Sequence, residues 1–406
     1  MIPEKTPTAF LCVPMMNESE NVSAFVDTLK SQKTEAPIHL VACVNQPHSW
    51  WDDKNKKGIC DDNQKTLRIL SQESELPVTI IDRSTEGWSE KHYGVGWARK
   101  LAMDTAAEKG DESDLIFSMD ADTYYPPDYV EKTLRHLINH PEKMAVAIPY
   151  YHPLPENKVA ARTILRYEIY MRHYALNMWK INSPYKFTAL GSAIALPVKA
   201  YKKIGGITPK TSGEDFYFLQ KLRKSGELLH YNPVKAYPQA RFSDRVFFGT
   251  GPAMLKGANG NWESYPLYHP DLFKEIKQIY TTFESYFASE SLGEQENQLK
   301  TVFRETDWLI KLKQNSADQS QFIRKCHEKF DGLKILQYLK RRQQSITTPE
   351  NQILHDFLTA NYPEKTQPYI EILKNINFLS SSIADLNNIR NLMMQIEDSL
   401  LKGKNL

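Results

Sequence analysis

Two aspartates one residue apart, Asp120 and Asp122, stand in the run SDLIFSMDADTYYPPDYV at residues 113–130. Their carboxylates repel each other unless positive charge sits between them. Hard carboxylate oxygens suit Mn2+ or Mg2+, ions that also hold diphosphate oxygens and can stabilise a phosphate leaving group. A second acidic pair, Glu214 and Asp215, follows Gly213 at the start of a helical pattern. Carboxylates there cap the backbone and suit the helix dipole; alternatively one of them faces a cleft and accepts a proton from an attacking hydroxyl. Basic partners are available. Arg99 and Lys100 lie on a helix leading to the strand before Asp120, while Arg241 and Arg245 flank Ser243 and Asp244 ahead of FFGTG. Guanidinium groups beside a Gly-rich loop can grip phosphate oxygens bidentately, and Arg245 is the one assigned to the site.

The elements that would position these groups alternate in type. AFLCVP (9–14), HLVACVN (39–45), VTIIDR (78–83) and DLIFSMD (114–120) read as strands, separated by helical patterns at 19–32, 63–73 and 94–110. Alternating strand and helix with fully apolar strands predicts an α/β fold, a parallel sheet covered on both faces. Ligands gather at the carboxyl ends of such strands. Those ends carry Pro14 to Glu18, Asn45, Asp82 with Arg83, and Asp120 with Asp122, which suggests one shared cleft. For Asn45 a simple turn-forming role is the other reading.

Beyond residue 144 the pattern continues with a strand at 144–151 and an aromatic-rich helix at 159–181. A strand, turn and short helix are expected over 188–207, and a further helix at 212–226. From about 270 onward the chain reads as all-α. Ile383, Leu386, Ile389, Met393, Ile396 and Leu400 make one apolar stripe, read as core, with pairing to a second copy as its other use. The expected division is a catalytic domain at 1–268 and a helical domain at 269–406.

Composition narrows the class. The 406 residues include 41% hydrophobic and 25% charged, with a net charge of +2. That balance implies no broad attraction to nucleic acid or anionic membrane. Cys12, Cys43, Cys60 and Cys326 are few and scattered, which fits a reduced cytoplasm. The segment MIPEKTPTAFLCVPMMNE lacks a secretory signal pattern, and no apolar run approaches the roughly 18 residues needed for a transmembrane segment.

Taken in order, VPMMNESENV, GVGWARKLAMD, FSMDADTYYPPDYV, GSAIALPVKAYKKIGGI and GEDFYFLQKLRKSG resemble the GT-A glycosyltransferases, specifically the family 2-like members that use nucleotide-diphosphate sugars. The resemblance covers residues 9 to about 250. It implies a GT-A, Rossmann-like domain and a UDP- or GDP-sugar donor, with a saccharide or small-molecule acceptor. Pro14, Asn17, Glu18 and Asn45 would lie by the nucleoside, Arg99 by the diphosphate, and Asp120 by ribose or metal. Asp122 would ligate the metal, Gly191 and Ser192 would line the acceptor side, Glu214 would hold donor or acceptor, and Asp215 would be the base of an inverting displacement. Lys100 departs from the Asn of many relatives. RFSDRVFFGTG replaces the Q-x-x-R-W motif of processive synthases, so one sugar per encounter is expected. A retaining GT-A enzyme making a small glycoside is the enzymatic alternative, and a non-catalytic nucleotide-binding scaffold the other. The D-x-D-x-T of haloacid-dehalogenase-type phosphatases fits poorly, since Tyr124 stands where its Thr belongs.

Overall fold

The computed structural model describes residues 6–211, 213–230, 233–243 and 249–403. Strands β1 (Ala9–Met15), β2 (Ile38–Pro47), β3 (Val78–Trp88) and β4 (Leu115–Ser118) are joined by helices α1 (Ser19–Lys30), α2 (Lys57–Ser71) and α3 (Val95–Lys109). β1 pairs in parallel with both β2 and β4, and β2 with β3. β1 and β4 are almost wholly buried because helices cover them, as fully apolar strands require. α3 can lie close to the sheet because the small residues Ala98, Ala102 and Ala106 are buried, while Gly96 gives room to the backbone of Lys210.

Next along the chain come β5 (Thr123–Tyr124), α4 (Tyr129–Ile138), β6 (Ala145–Ala147), α5 (Lys158–Lys180), β7 (Ile194–Pro197), α6 (Val198–Lys203), α7 (Glu214–Ser225), β8 (Leu228–Leu229) and β9 (Tyr237–Pro238). The seven-stranded sheet has the order β3-β2-β1-β4-β7-β6-β8. β7 runs antiparallel to both β4 and β6, so the sheet is mostly rather than wholly parallel. The strand expected at 144–151 is paired only over Ala145–Ala147, followed by an isolated bridge from Tyr150 to Ala236. Pro149, which has no N–H to donate, interrupts it. α2 starts at Lys57, earlier than the expected 63.

β5 and β9 form a separate two-stranded ribbon with Thr123 opposite Pro238 and Tyr124 opposite Tyr237. The Gln239 N–H donates to the Asp122 carbonyl at 3.1 Å, which extends the ribbon and fastens the chain around 237–241 to the D-x-D segment.

The chain divides into two compact units. The first contains the sheet and a core of Leu11, Val13, Val26, Leu40, Val44 and Phe117. The second comprises Leu165–Phe187 with Gly260–Leu400. In it Leu165, Ile169 and Leu176 pack with Ile353, Phe357, Leu386, Ile389, Met393 and Ile396. The apolar stripe on the last helix, Ile383–Gly403, packs into the core of its own unit, with Ile383 and Leu400 partly buried at its ends. All four cysteines are buried free thiols. Among the described residues no helix is long and apolar enough to cross a membrane.

The second unit also buries charge. Glu168 is shared by Arg172, at 2.6 Å, and Arg390, at 3.3 Å, all within the interior, and Arg172 also pairs with Glu397. Removing one member of such a network leaves uncompensated buried charge, which costs about 3–5 kcal/mol. Glu168→Ala should lower unfolding stability by about that amount in denaturant titration. A loss within about 0.5 kcal/mol, typical of surface changes, would contradict this account of the network.

Candidate active site

The site is organised by a buried arginine. Arg99, on the inward face of α3 and only 2% exposed, donates from Nε to Glu214 at 3.1 Å and from Nη2 to Asp120 at 2.9 Å. Its Nη1 donates to Ser118 Oγ at 2.7 Å and to the Gly191 carbonyl at 3.0 Å. Burial alone would lower the arginine pKa, but Asp120 and Glu214 outweigh it and raise the pKa above its ordinary value. The guanidinium thus stays charged and committed to these partners. Arg99, expected beside the diphosphate, faces inward toward these partners. Gly191 makes this packing feasible: a Cβ there would come within 2.6 Å of Arg99 Nη2.

Asp120 and Asp122, expected to share one cation, have different partners. Asp120 faces Arg99, and its N–H donates to Tyr125 Oη at 3.0 Å, whose hydroxyl donates to the Ser192 carbonyl at 3.0 Å. Tyr125 is a strut between the strand end and the Gly191-Ser192 turn. Ser192 itself is buried. Asp122 pairs with Arg241 Nη2 at 2.6 Å, and the same nitrogen pairs with Glu18 Oε1. Arg241 Nη1 lies 3.3 Å from Glu18 Oε2, and Asn21 donates to Glu18 as well.

This geometry bears on the metal. Among the described residues no group of three His, Cys, Asp or Glu side chains converges on one point. Glu18 and Asp122, however, do converge on a single positive nitrogen. Two hard carboxylates with diphosphate oxygens completing the shell suit Mg2+ or Mn2+, which commonly use one or two carboxylates plus substrate phosphates. The donor set therefore fits a divalent cation, through Asp122 and Glu18 more directly than through Asp122 and Asp120.

On the expected nucleoside side, Asn45 is 2% exposed. Its Nδ2 donates to the Met15 carbonyl at 3.1 Å and its Oδ1 accepts from the Gly94 N–H at 3.2 Å. Its amide thus fastens the end of β1 to the start of α3, from a position within β2 rather than in a turn. Pro14 is half-buried in β1. Asn17 is exposed with φ 59°, in the left-handed region, and its N–H donates to Asn63 Oδ1 at 2.9 Å. Asn63, buried, also donates to Gln46 Oε1 at 2.8 Å and pins this turn; nothing in the sequence marked it.

On the other side Gly213, at φ 70°, turns the chain into α7. Glu214 is buried against Arg99, whereas Asp215 keeps partial exposure. The Phe216 N–H donates to Asp215 Oδ1 at 2.8 Å. Burial, and next the neighbouring Glu214 carboxylate, push the Asp215 pKa up to about 7, with Asp120 adding to the shift. A carboxyl so poised can exchange a proton near neutrality. Arg245 lies outside the described residues. Arg241, the other arginine of that segment, is the one seen at the acidic pair.

Residues 10–204 match the family model described as glycosyl transferase family 2. That segment runs from β1 through α6 and includes Glu18, Arg99, Asp120, Asp122 and Gly191; Asp215 and Arg241 lie beyond it. No curated protein matches the chain. Among solved structures, the mannosyltransferase PcManGT from Pyrobaculum calidifontis, in complex with GDP-Man and Mn2+, matches with a TM-score of 0.41 and 12% identity, over 96% of this chain and 88% of that one. The family match, laid on a mostly parallel sheet with its acidic pair at a strand end, identifies residues 10–204 as a family 2-like glycosyltransferase segment.

Proposed function

We propose that the protein transfers one sugar per encounter from a nucleotide-diphosphate sugar to an acceptor hydroxyl with inversion at the anomeric carbon, and that Asp215 is the general base. The observation that carries this reading is the environment of Asp215. It sits at the start of α7, beside a Glu214 tied through Arg99 to Asp120, with a pKa pushed up to about 7.

An acceptor hydroxyl is far too weak an acid to attack unaided, so a positioned base must take its proton as the new bond forms. Asp215 Oδ1 is oriented by the Phe216 N–H, which leaves the carboxylate's remaining lone pairs for the incoming hydroxyl. When bound, a Mn2+ or Mg2+ would neutralise charge on the departing diphosphate, and Asp122 with Glu18 would hold it. Arg99 keeps the strand end and the start of α7 in fixed relation, so the two sides of the sugar are addressed by groups that need no reorganisation. The stretch RFSDRVFFGTG, in place of Q-x-x-R-W, supports single transfers over processive synthesis.

Asp215→Asn should leave donor affinity within about threefold while kcat falls by roughly 10²–10⁴-fold. Because a base works when deprotonated, wild-type kcat should rise with pH through about 7 and level off above it; the variant should lose that limb. Unchanged kcat in the variant would remove Asp215 as base. A second expectation concerns stereochemistry. Proton NMR of the first-formed product should show the anomeric configuration opposite to the donor's, and a retained configuration would favour the retaining alternative.

A further inference from the structure

We propose that Arg241 is the resident counter-ion of the donor site: its guanidinium occupies the cation position between Glu18 and Asp122 and is exchanged for a divalent cation when one binds. The inference rests on the reading of Asp122 as the metal-side carboxylate. Three chain segments supply the cluster: Glu18 from the turn after β1, Asp122 from the D-x-D, and Arg241 from the stretch after β9. The Gln239–Asp122 backbone bond holds the root of Arg241 beside the acidic pair.

Glu18 has a 6% exposed side chain and Asp122 a 19% exposed one. Two carboxylates so near each other, and so poorly hydrated, repel unless a cation lies between them. Arg241 Nη2 supplies that charge from a side chain that is itself 29% exposed. A Mg2+-type ion needs carboxylate oxygens at about 2.0–2.1 Å. A guanidinium nitrogen already 2.6 Å from Asp122 Oδ2 contends for the same oxygens, so the two cations are mutually exclusive there. Arg241 differs in this from Arg99, whose sealed environment gives it no alternative partner to be exchanged for. A displaced guanidinium on a long side chain is suited to take phosphate oxygens bidentately.

The test uses Mn2+ alone, without nucleotide, on the full chain. Free Mn2+ measured by electron paramagnetic resonance should show Arg241→Gln binding the ion at least about tenfold more tightly than wild type, with Asp122→Asn in the same background abolishing the gain. In chelator, Arg241→Gln should melt below wild type, and Mn2+ should restore much of that difference, a rescue that a purely structural arginine would not show. Arg241→Lys, which keeps the charge, should bind Mn2+ like wild type. Equal affinity in wild type and Arg241→Gln, or a gain that survives Asp122→Asn, would overturn the exchange. That failure, if metal-stimulated hydrolysis of a UDP- or GDP-sugar persisted in wild type, would leave the transferase reading standing. Tighter Mn2+ binding without any donor turnover would support the exchange while counting against the transferase reading.

Discussion

A guanidinium taken out of water is expensive, and one placed between two carboxylates from distant parts of the chain holds those parts together. Arg99 does this. It joins the end of β4, through Asp120 and Ser118, to the first turn of α7, through Glu214, and to the Gly191 carbonyl before β7. Losing any partner would leave buried charge uncompensated, which is costlier than never having buried the pair. The close packing also explains Gly191, where any side chain would meet the guanidinium. These contacts fix the start of α7 relative to the acidic strand end, while burial and the neighbouring Glu214 carboxylate raise the Asp215 pKa against the opposing pull of Arg99.

Two arginine–carboxylate clusters with opposite properties therefore adjoin the D-x-D. The Arg99 cluster is sealed, with Glu214 also buried, and sets geometry. The Arg241 cluster is partly open and sets charge. In the sealed cluster a change of partner would strand a charge; in the open one water or an incoming cation can compensate it. This difference in burial separates the residues that position from those that can respond to a ligand.

Much of the sheet was legible because its inner strands are continuous apolar runs: Phe10 to Val13, Leu40 to Val44 and Leu115 to Phe117 admit little but burial on both faces. The D-x-D and the start of α7 were also legible, through their acid spacing and through Gly213. Strand direction was not. β7 is as apolar as the parallel strands β1 and β4, and nothing in Ile194–Pro197 tells which way it runs. The partners of the charged residues were equally hidden. Arg241 and Arg245 are identical in type and four apart, and only the β5–β9 pairing brings the first to Asp122. Arg99 reads as a partner for phosphate, and its burial against Asp120 and Glu214 shows only once α3 is seen packed by its alanines. Asn63 and Tyr125 each act through paired hydrogen bonds across long sequence separations or tight turns, for which composition and periodicity hold no signal.

The central claim, that Arg99 couples Asp120 at the end of β4 to the start of α7, is tested most directly by a double-mutant cycle in unfolding free energy between Asp120→Asn and Glu214→Gln, repeated in an Arg99→Met background. These two carboxylates meet through the shared guanidinium, so the cycle should give a coupling energy of about 0.5–3 kcal/mol with Arg99 present and a marked loss of it without. Additivity within about 0.3–0.5 kcal/mol in the wild-type background, or an undiminished coupling after Arg99→Met, would contradict the account.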